Sequence, residues 1–398
     1  MNIEKLYKIS LQPARTIVGL MSGTSFDGLD IALCEFRGSD LHTEARLVRF
    51  KTVPYDSRFK EELKSVFSKT TANLQTITLL NAYIGRFFGR LVLEALHDWS
   101  IDPSSVDLVA SHGQTIFHAP KWLHREEGYA NATLQIGDGD HLAVETGIIT
   151  LSDFRQKQIA AGGEGAPLAM YGDMLMFSSD TETRIMLNIG GIANFTFLPA
   201  GRKTEEIFST DTGPGNTLID QFVQARVPGA YYDKDAGLAS SGTVNRPLLN
   251  ALLDHPFFDA GFPKTTGPEL FNLSYLNLAL ERSGQQDTGS ADILATLTLF
   301  AAETIARAIS DTLRNKPGPF RIYLSGGGMH NPLLIHHLAS HFGKQALATT
   351  AALGIDPDAK EAVLFALLAN QAVAGRYHAG ETVGRAPFIS MGKVSFPD

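Results

Sequence analysis

Residues 16–36, TIVGLMSGTSFDGLDIALCEF, decide how the rest of the chain is read. An apolar run over 16–20 leads into a small-residue loop of Ser22, Gly23, Thr24 and Ser25. Two acids follow at Asp27 and Asp30, and a second apolar run closes the stretch over 31–36. Apolar run, turn residues, apolar run is the pattern of a β-hairpin. This turn is longer and richer in glycine and polar groups than a connector requires. Glycine lets backbone N–H groups approach an anion, hydroxyls add donors, and carboxylates can hold a magnesium ion that shares the charge. The stretch reads as a phosphate cradle; an ordinary hairpin with a wide loop has the same composition.

The second half of the chain echoes it. Residues 184–198, RIMLNIGGIANFTFL, are again strand, glycine turn and strand, and Leu187-Asn188-Ile189-Gly190 can be laid on Leu20-Met21-Ser22-Gly23. Two such hairpins fit a duplicated fold with one phosphate loop per lobe. A third apolar strand, 321–324, enters SGGGMHNP at 325–332. None of the three is a Walker loop, because no GxxxxGK[ST] occurs, and none is a dinucleotide fingerprint. A tight turn explains any one of them; together they favour a nucleotide held in a cleft between two lobes.

Individual side chains carry further readings. Asp211 ends a strand over 207–210, facing the glycine loop DTGPGN with a helix expected behind it over 217–225. A carboxylate so held can act as a general base, or simply as a turn acid. His112, in SHGQT after a strand over 106–110, can donate to a sugar hydroxyl or serve structurally. Arg155 in DFR can clamp a carboxylate or pair locally. Glu361 opens a helix expected over 359–376 and by itself reads as a favourable first-turn acid. His336, His337 and His341 lack an HExxH frame and fall on a solvated helix face.

The remaining pattern is helical over 52–70, 74–99 and 291–314, the last stopped by Pro317-Gly318-Pro319. Turn-rich segments lie at 228–247 and 256–268. The glycine-dense 160–168 is a crossing point between lobes. At 398 residues the chain holds two ordinary domains, and 44% hydrophobic with 19% charged residues is a soluble globular composition. A net charge of −8 argues against nucleic acid as partner. Cys34 is the only cysteine, which excludes an intrachain disulfide and thiol clusters, and within its strand it reads as a small hydrophobe. The N-terminus lacks the continuous apolar core of a secretory signal. No uninterrupted apolar run approaches the ~18 residues of a membrane span, so a cytoplasmic protein is expected.

Assembled in order, GLMSGTSFDGLD (19–30), SHGQT (111–115), DFR (153–155) with AAGGEGAPL (160–168), LNIGGIANF (187–195), DTGPGN (211–216), SGGGMHNP (325–332) and DAKEAVLFALLA (358–369) resemble the anhydro-N-acetylmuramic acid kinase family. The resemblance implies an α/β, two-lobed ribonuclease-H-like fold of the actin and sugar-kinase type with an interlobe cleft. The first lobe would be 1–160 joined by the tail 380–398, and the second 161–379. It implies ATP-dependent cleavage of a 1,6-anhydro sugar bond with phosphorylation of O6, yielding N-acetylmuramic acid 6-phosphate in peptidoglycan recycling, by a homodimer using ATP and Mg2+.

By the same resemblance, Gly23, Thr24, Ser25, Phe26, Asp27, Gly28, Leu29 and Asp30 would hold the ATP phosphates and magnesium. Gly190 and Gly191 would form a second phosphate loop, and Gly326, Gly327 and Gly328 with Asn331 the adenosine side. Asp211 falls on the catalytic base and Glu361 on an acid that helps hold the reacting water. His112, Gln114, Thr115 and Arg155 fall where the sugar is contacted. The family pattern DFRxxD has Gln158 at its last position here, which puts a support for Arg155 in question. Two other readings remain open: a kinase for a non-anhydro amino sugar, with Asp211 deprotonating a hydroxyl, and an inactive ATP-gated sugar sensor.

Overall fold

The computed structural model describes residues 1–316, 318–377 and 380–398. The chain divides into two compact units, Met1–Phe177 with Gly354–Asp398, and Ser178–Leu353. The first unit opens with α1 (Asn2–Leu11), then β1 (Ala14–Ser22), β2 (Gly28–Arg37), β3 (Glu44–Pro54), α2 (Ser57–Val66), α3 (Leu74–Asp98) and β4 (Leu108–Ala119). It continues through α4 (Lys121–His124), β5 (Ala132–Ile136), α5 (Gly139–Thr146), β6 (Thr150–Ser152), α6 (Phe154–Ala160) and α7 (Ala169–Phe177). The second unit holds β7 (Thr183–Ile189), β8 (Ile192–Leu198), β9 (Phe208–Pro214), α8 (Thr217–Arg226), α9 (Arg246–Leu253), α10 (Pro256–Asp259), α11 (Leu273–Ser283) and α12 (Ser290–Leu313). It ends with β10 (Phe320–Ser325), α13 (Pro332–Phe342) and β11 (Leu347–Thr349). The chain then returns to the first unit as α14 (Lys360–Ala374), β12 (Thr382–Val383), β13 (Ala386–Pro387) and β14 (Lys393–Ser395).

Both large sheets share one plan. In the first unit β3, β2 and β1 form an antiparallel meander, β4 runs parallel to β1, and β6 parallel to β4. In the second, β9, β8 and β7 form the meander, with β10 parallel to β7 and β11 parallel to β10. Three antiparallel strands followed by two parallel ones reached through helices is the ribonuclease-H-like order, present twice. The two glycine hairpins, β1–β2 and β7–β8, therefore occupy equivalent places.

Burial explains these elements. β1 is an almost unbroken row of buried residues, as a central strand covered on both faces must be. α12 is buried on nearly every side against the cores of α8–α11 and of the β7–β10 strands. It is long and apolar enough by composition to cross a bilayer, with 83% of its apolar window buried inside the protein. α3 starts where Asn73 accepts the N–H of Thr76 at 3.1 Å, a side-chain N-cap.

Several expectations are corrected. Residues 52–70 are not one helix: 52–54 end the edge strand β3, and α2 begins only after Asp56, which accepts the N–H of Phe59 at 2.8 Å. No residue of β3 is buried, so no apolar row announces it. SHGQT lies inside β4, not after it, and Asp211 lies within β9, which runs on to Pro214. Of the turn-rich segments, 228–247 runs into the start of α9 and 256–268 opens with the short helix α10. Of the expected stop after α12, Pro317 lies outside the described residues.

The boundary between units also moves. Residues 161–177 and 354–377 belong with the first unit, because α14 packs directly on β1. Gly19 makes this possible: a Cβ there would lie 2.0 Å from the backbone oxygen of Ala362. On its other side α14 meets α7, where a Cβ on Gly172 would lie 2.4 Å from Leu364. The helix is small-faced where it matters, with Ala362, Ala366 and Ala369 fully buried.

Gly19→Ala therefore forces a backbone shift rather than a side-chain adjustment. It should cost about 1–3 kcal/mol, the usual range for overpacking. Guanidinium denaturation checks this, and an unchanged midpoint at constant m-value would refute the contact.

Candidate active site

In the first unit the hairpin turn is held from beneath. Tyr55 donates its O–H to Ser22 Oγ (2.7 Å), Ser22 Oγ donates to Gln114 Oε1 (2.5 Å), and Gln114 Nε2 reaches the carbonyl of Gly23 (3.3 Å). Gln114 is wholly buried. It is thus a brace for the loop, where the resemblance made it a sugar contact. Phe26 adopts a left-handed φ of 58° and turns its buried ring edge-on to Phe67 at 5.0 Å, and Leu29 is also core. These two can offer only backbone groups to a ligand. Gly28 is needed for packing, since a Cβ would lie 2.4 Å from Val53 O, whereas Gly23 has open space.

Thr24, Ser25 and Asp27 are exposed, and the Asp27 carbonyl accepts the N–H of Tyr55 at 3.1 Å. Asp30 is half-buried and accepts from Thr52 Oγ1 at 2.5 Å. Burial pushes its carboxyl pKa up, the Thr52 bond opposes this, and the nearby acids Asp358 and Asp27 add to the rise.

A second cluster of the same unit centres on Arg155. Its Nε donates to His112 Nε2 (3.1 Å) and its Nη1 to the carbonyl of Gly165 (2.7 Å). The bond makes Nε2 the acceptor, so the imidazole proton sits on Nδ1. His112 is buried, its ring 4.7 Å from that of Phe365. Burial and then the adjacent guanidinium hold its pKa well below the ordinary histidine value, so it is neutral at physiological pH. Burial lowers Arg155 to about 10, opposed by Glu361, which leaves it charged.

Gln158 answers the question raised by its position. Its Oε1 accepts the N–H of Gly165 (2.5 Å) and its Nε2 donates to Tyr171 (3.3 Å). It grips the N–H of the residue whose carbonyl receives Arg155, so the support is present in amide form. Thr115 Oγ1 accepts from Gln135 Nε2 at 3.1 Å.

Glu361 lies in the first turn of α14 and is open to solvent. Desolvation by the surrounding protein raises its pKa, Lys360 lowers it, Asp30 raises it and Arg155 lowers it. Lys360 is in turn paired with buried Asp173 at 2.8 Å.

In the second unit, the carbonyl of Gly190 accepts from Asn216 N (2.9 Å) and that of Gly191 from Gly215 N (2.8 Å) and Thr217 N (3.0 Å). A planar trans peptide then points the Gly191 N–H away from 215–217. Of the third glycine run, Gly326 and Gly328 are packing residues. A Cβ on Gly326 would lie 2.6 Å from Asn188 Oδ1, and one on Gly328 2.2 Å from Ile189 Cγ2. Only Gly327 has room beside it for a ligand. Asn331 caps α13, accepting from Leu334 N at 3.0 Å.

Asp211 is half-buried on β9, opposite Asn194 of β8. Its N–H donates to Lys264 O (2.9 Å) and its Oδ2 accepts from Thr266 N (2.8 Å). Burial pushes its carboxyl up to about 6, the Thr266 bond opposes this, and Glu269 adds to it. Such a carboxylate is ionised at neutral pH yet basic enough to take a proton. Tyr55, Lys264 and Thr266 went unnoticed in the sequence, and Ser22 was read only as part of the loop; their hydrogen bonds are to residues distant in sequence, which leaves no periodic trace.

A ribonuclease-H-like sheet in each unit, a glycine hairpin at the same place in both, and a poised carboxylate on the strand next to the second define an ATP-using kinase of the sugar-kinase and actin class. The model of the anhydro-N-acetylmuramic acid kinase family matches residues 15–386. The chain belongs to that family. The anhydro-N-acetylmuramic acid kinase of Pseudoalteromonas atlantica is 52% identical over 100% of this chain and 99% of its own. That of Caldanaerobacter subterraneus subsp. tengcongensis is 35% identical over 99% and 100%. A solved activator of 2-hydroxyisocaproyl-CoA dehydratase from Clostridium difficile, with bound ADPNP, has a TM-score of 0.37 at 11% identity, covering 90% of this chain and 95% of that one.

If Gln114 is a brace, Gln114→Ala leaves the buried Ser22 and Tyr55 hydroxyls underpaired and should cost about 1–3 kcal/mol of stability. Urea unfolding without ligand measures it. A residue that only touched sugar would leave the midpoint where it was.

Proposed function

We propose that this kinase hydrolyses the 1,6-anhydro bond of 1,6-anhydro-N-acetylmuramic acid and phosphorylates O6 with ATP, giving N-acetylmuramic acid 6-phosphate for peptidoglycan recycling. The observation that carries the reading is Asp211, with one oxygen fixed by a backbone N–H and a pKa raised to about 6. Asp211 takes a proton from a water whose oxygen adds to C1. The C1–O6 bond breaks, O6 bonds to the γ-phosphorus, and the bond from that phosphorus to the ADP oxygen breaks. The carboxylate acts as the base of an inverting glycosidase does, while the phosphoryl group captures the leaving oxygen in place of a general acid. Phosphoryl transfer itself asks mainly for positioning and charge neutralisation.

The other roles follow from what each group has left to offer. The open backbone at Gly23, Thr24 and Ser25, and the outward N–H of Gly191, suit phosphate oxygens, and Gly327 suits the nucleoside side. Exposed Asp27 is the hard oxygen donor that Mg2+ accepts, and the ion would share the triphosphate's charge. Arg155, charged and braced by neutral His112 and by Gly165, suits the sugar's carboxylate or hydroxyls, with Thr115 beside it on β4. Glu361 would help hold the reacting water. A cytoplasmic homodimer belongs to the same reading, supported by family membership.

Phosphorus NMR with ATP, Mg2+ and the anhydro sugar should show a 6-phosphate product. Asp211→Asn should lower kcat by about 10²–10⁴-fold, the usual worth of a general base, with sugar binding largely kept. Normal turnover by that variant would sink the assignment. Oxygen-18 from water should appear at C1 of the product, and its absence would point to the open-form kinase reading.

The wild-type pH profile is a separate check. A base with a pKa near 6 is lost by protonation as pH falls, so kcat should decline below about pH 6. A profile flat down to pH 5 would contradict it.

A further inference from the structure

The insertion before α11 is built around Asp211. Beyond α10, residues 260–266 run back along β9. Lys264 receives the Asp211 N–H on its carbonyl (2.9 Å) and donates its own N–H to Thr210 Oγ1 (3.0 Å). Its side chain is anchored as firmly. Nζ donates to the carbonyls of Phe257 (2.8 Å) and Phe258 (3.3 Å) and lies 4.6 and 5.1 Å from the ring centroids of Phe257 and Phe262. Among the described residues Lys264 makes no ion pair within 4.0 Å. A cation held on carbonyls and aromatic faces has exchanged water for position.

Two residues further on, Thr266 donates its N–H to Asp211 Oδ2 at 2.8 Å. The Thr266 hydroxyl oxygen is buried and has no hydrogen-bond partner among the described residues. A buried hydroxyl left without a partner costs stability, so its retention beside the reacting carboxylate asks for an occupant that can hydrogen-bond. The charged group facing Asp211 is Glu269, and those facing Lys264 are Arg307, Asp259 and Asp311.

We infer that Lys264 and Thr266 are positioning residues for Asp211. Lys264 fastens the insertion to β9, the Thr266 amide fixes Oδ2 so that Oδ1 receives the proton, and the Thr266 hydroxyl holds the water from which that proton comes. The inference rests on the reading of Asp211 as the base. It adds a specific division of labour between the two carboxylate oxygens and gives the water a further contact.

Three variants of the full chain test it, assayed with the anhydro sugar and ATP from pH 5 to 9. Thr266→Val keeps the shape and the amide but removes the hydroxyl; it should lower kcat about tenfold with both KM values unchanged. Thr266→Ser should restore most of the loss. Lys264→Met releases the amide clamp, which had favoured the ionised carboxylate, so the acid limb should move up by about half a pH unit or more. Wild-type kcat for the valine variant, equal impairment of the valine and serine variants, or an unmoved acid limb would overturn the inference. If Lys264→Met does not fold, Lys264→Arg replaces it: its longer, planar guanidinium does not fit where the ammonium sits on the two carbonyls and should shift the limb in the same direction, and an unshifted limb counts against. Turnover by Asp211→Asn would instead refute the base itself, whatever the Thr266 variants do.

Discussion

The first unit depends on a backbone touching a backbone. The oxygen of Ala362 lies where any side chain at residue 19 would sit, so α14 rests on β1 at a distance only glycine permits. That closeness puts Glu361 in the electrostatic neighbourhood of Asp30 and Arg155, although the three are far apart in sequence. Gly19 lies in the central strand that ends in the Gly23 turn, so one missing side chain sets both the helix and the acid at its start. The same helix is gripped from its other side at Gly172.

The two carboxylates are tuned by different means. Asp211 is raised by burial and restrained by one peptide N–H. Glu361 is also raised by desolvation but sits among opposed charges, Lys360 and Arg155 against Asp30. A single hydrogen bond is a directional constraint, whereas charge–charge interactions are not directional and are weakened by solvent. The geometry thus gives Asp211 one preferred orientation and leaves Glu361 responsive to whatever binds near it. Arg155 is a third case, a half-buried charge kept in place by a neutral imidazole and a peptide carbonyl.

Much of this was legible in the residues, and unevenly so. The two glycine hairpins, the long helices at 74–98 and 290–313 and the strand before the third glycine run announce themselves because burial imposes a period on their side chains. β3 does not, since none of its residues is fully buried. The boundary between units escaped because a contact through Gly19 has no side chain to leave a signal. Among site residues, Asp211 is held by a hydrogen bond from Thr266, which no motif marks, and Arg155 by bonds to His112 and Gly165 of two other motifs. Gln114 and Asn331 carry the right motif but serve the backbone, one as a loop brace and the other as a helix cap. Gly326 and Gly328 are glycine for packing against Ile189, a reason that composition cannot separate from ligand binding.

The order of elements has a consequence for biosynthesis. The second unit, Ser178–Leu353, is continuous and contains every strand of its own sheet, so it can close as soon as it leaves the ribosome. The first unit is interrupted: the nascent N-terminal segment has β1 without its covering helix α14 and β6 without β14 beside it. An apolar face and a strand edge stay uncovered until α14 and β14 are translated, the kind of surface that chaperones shield. The half that is made first is therefore the half that matures last.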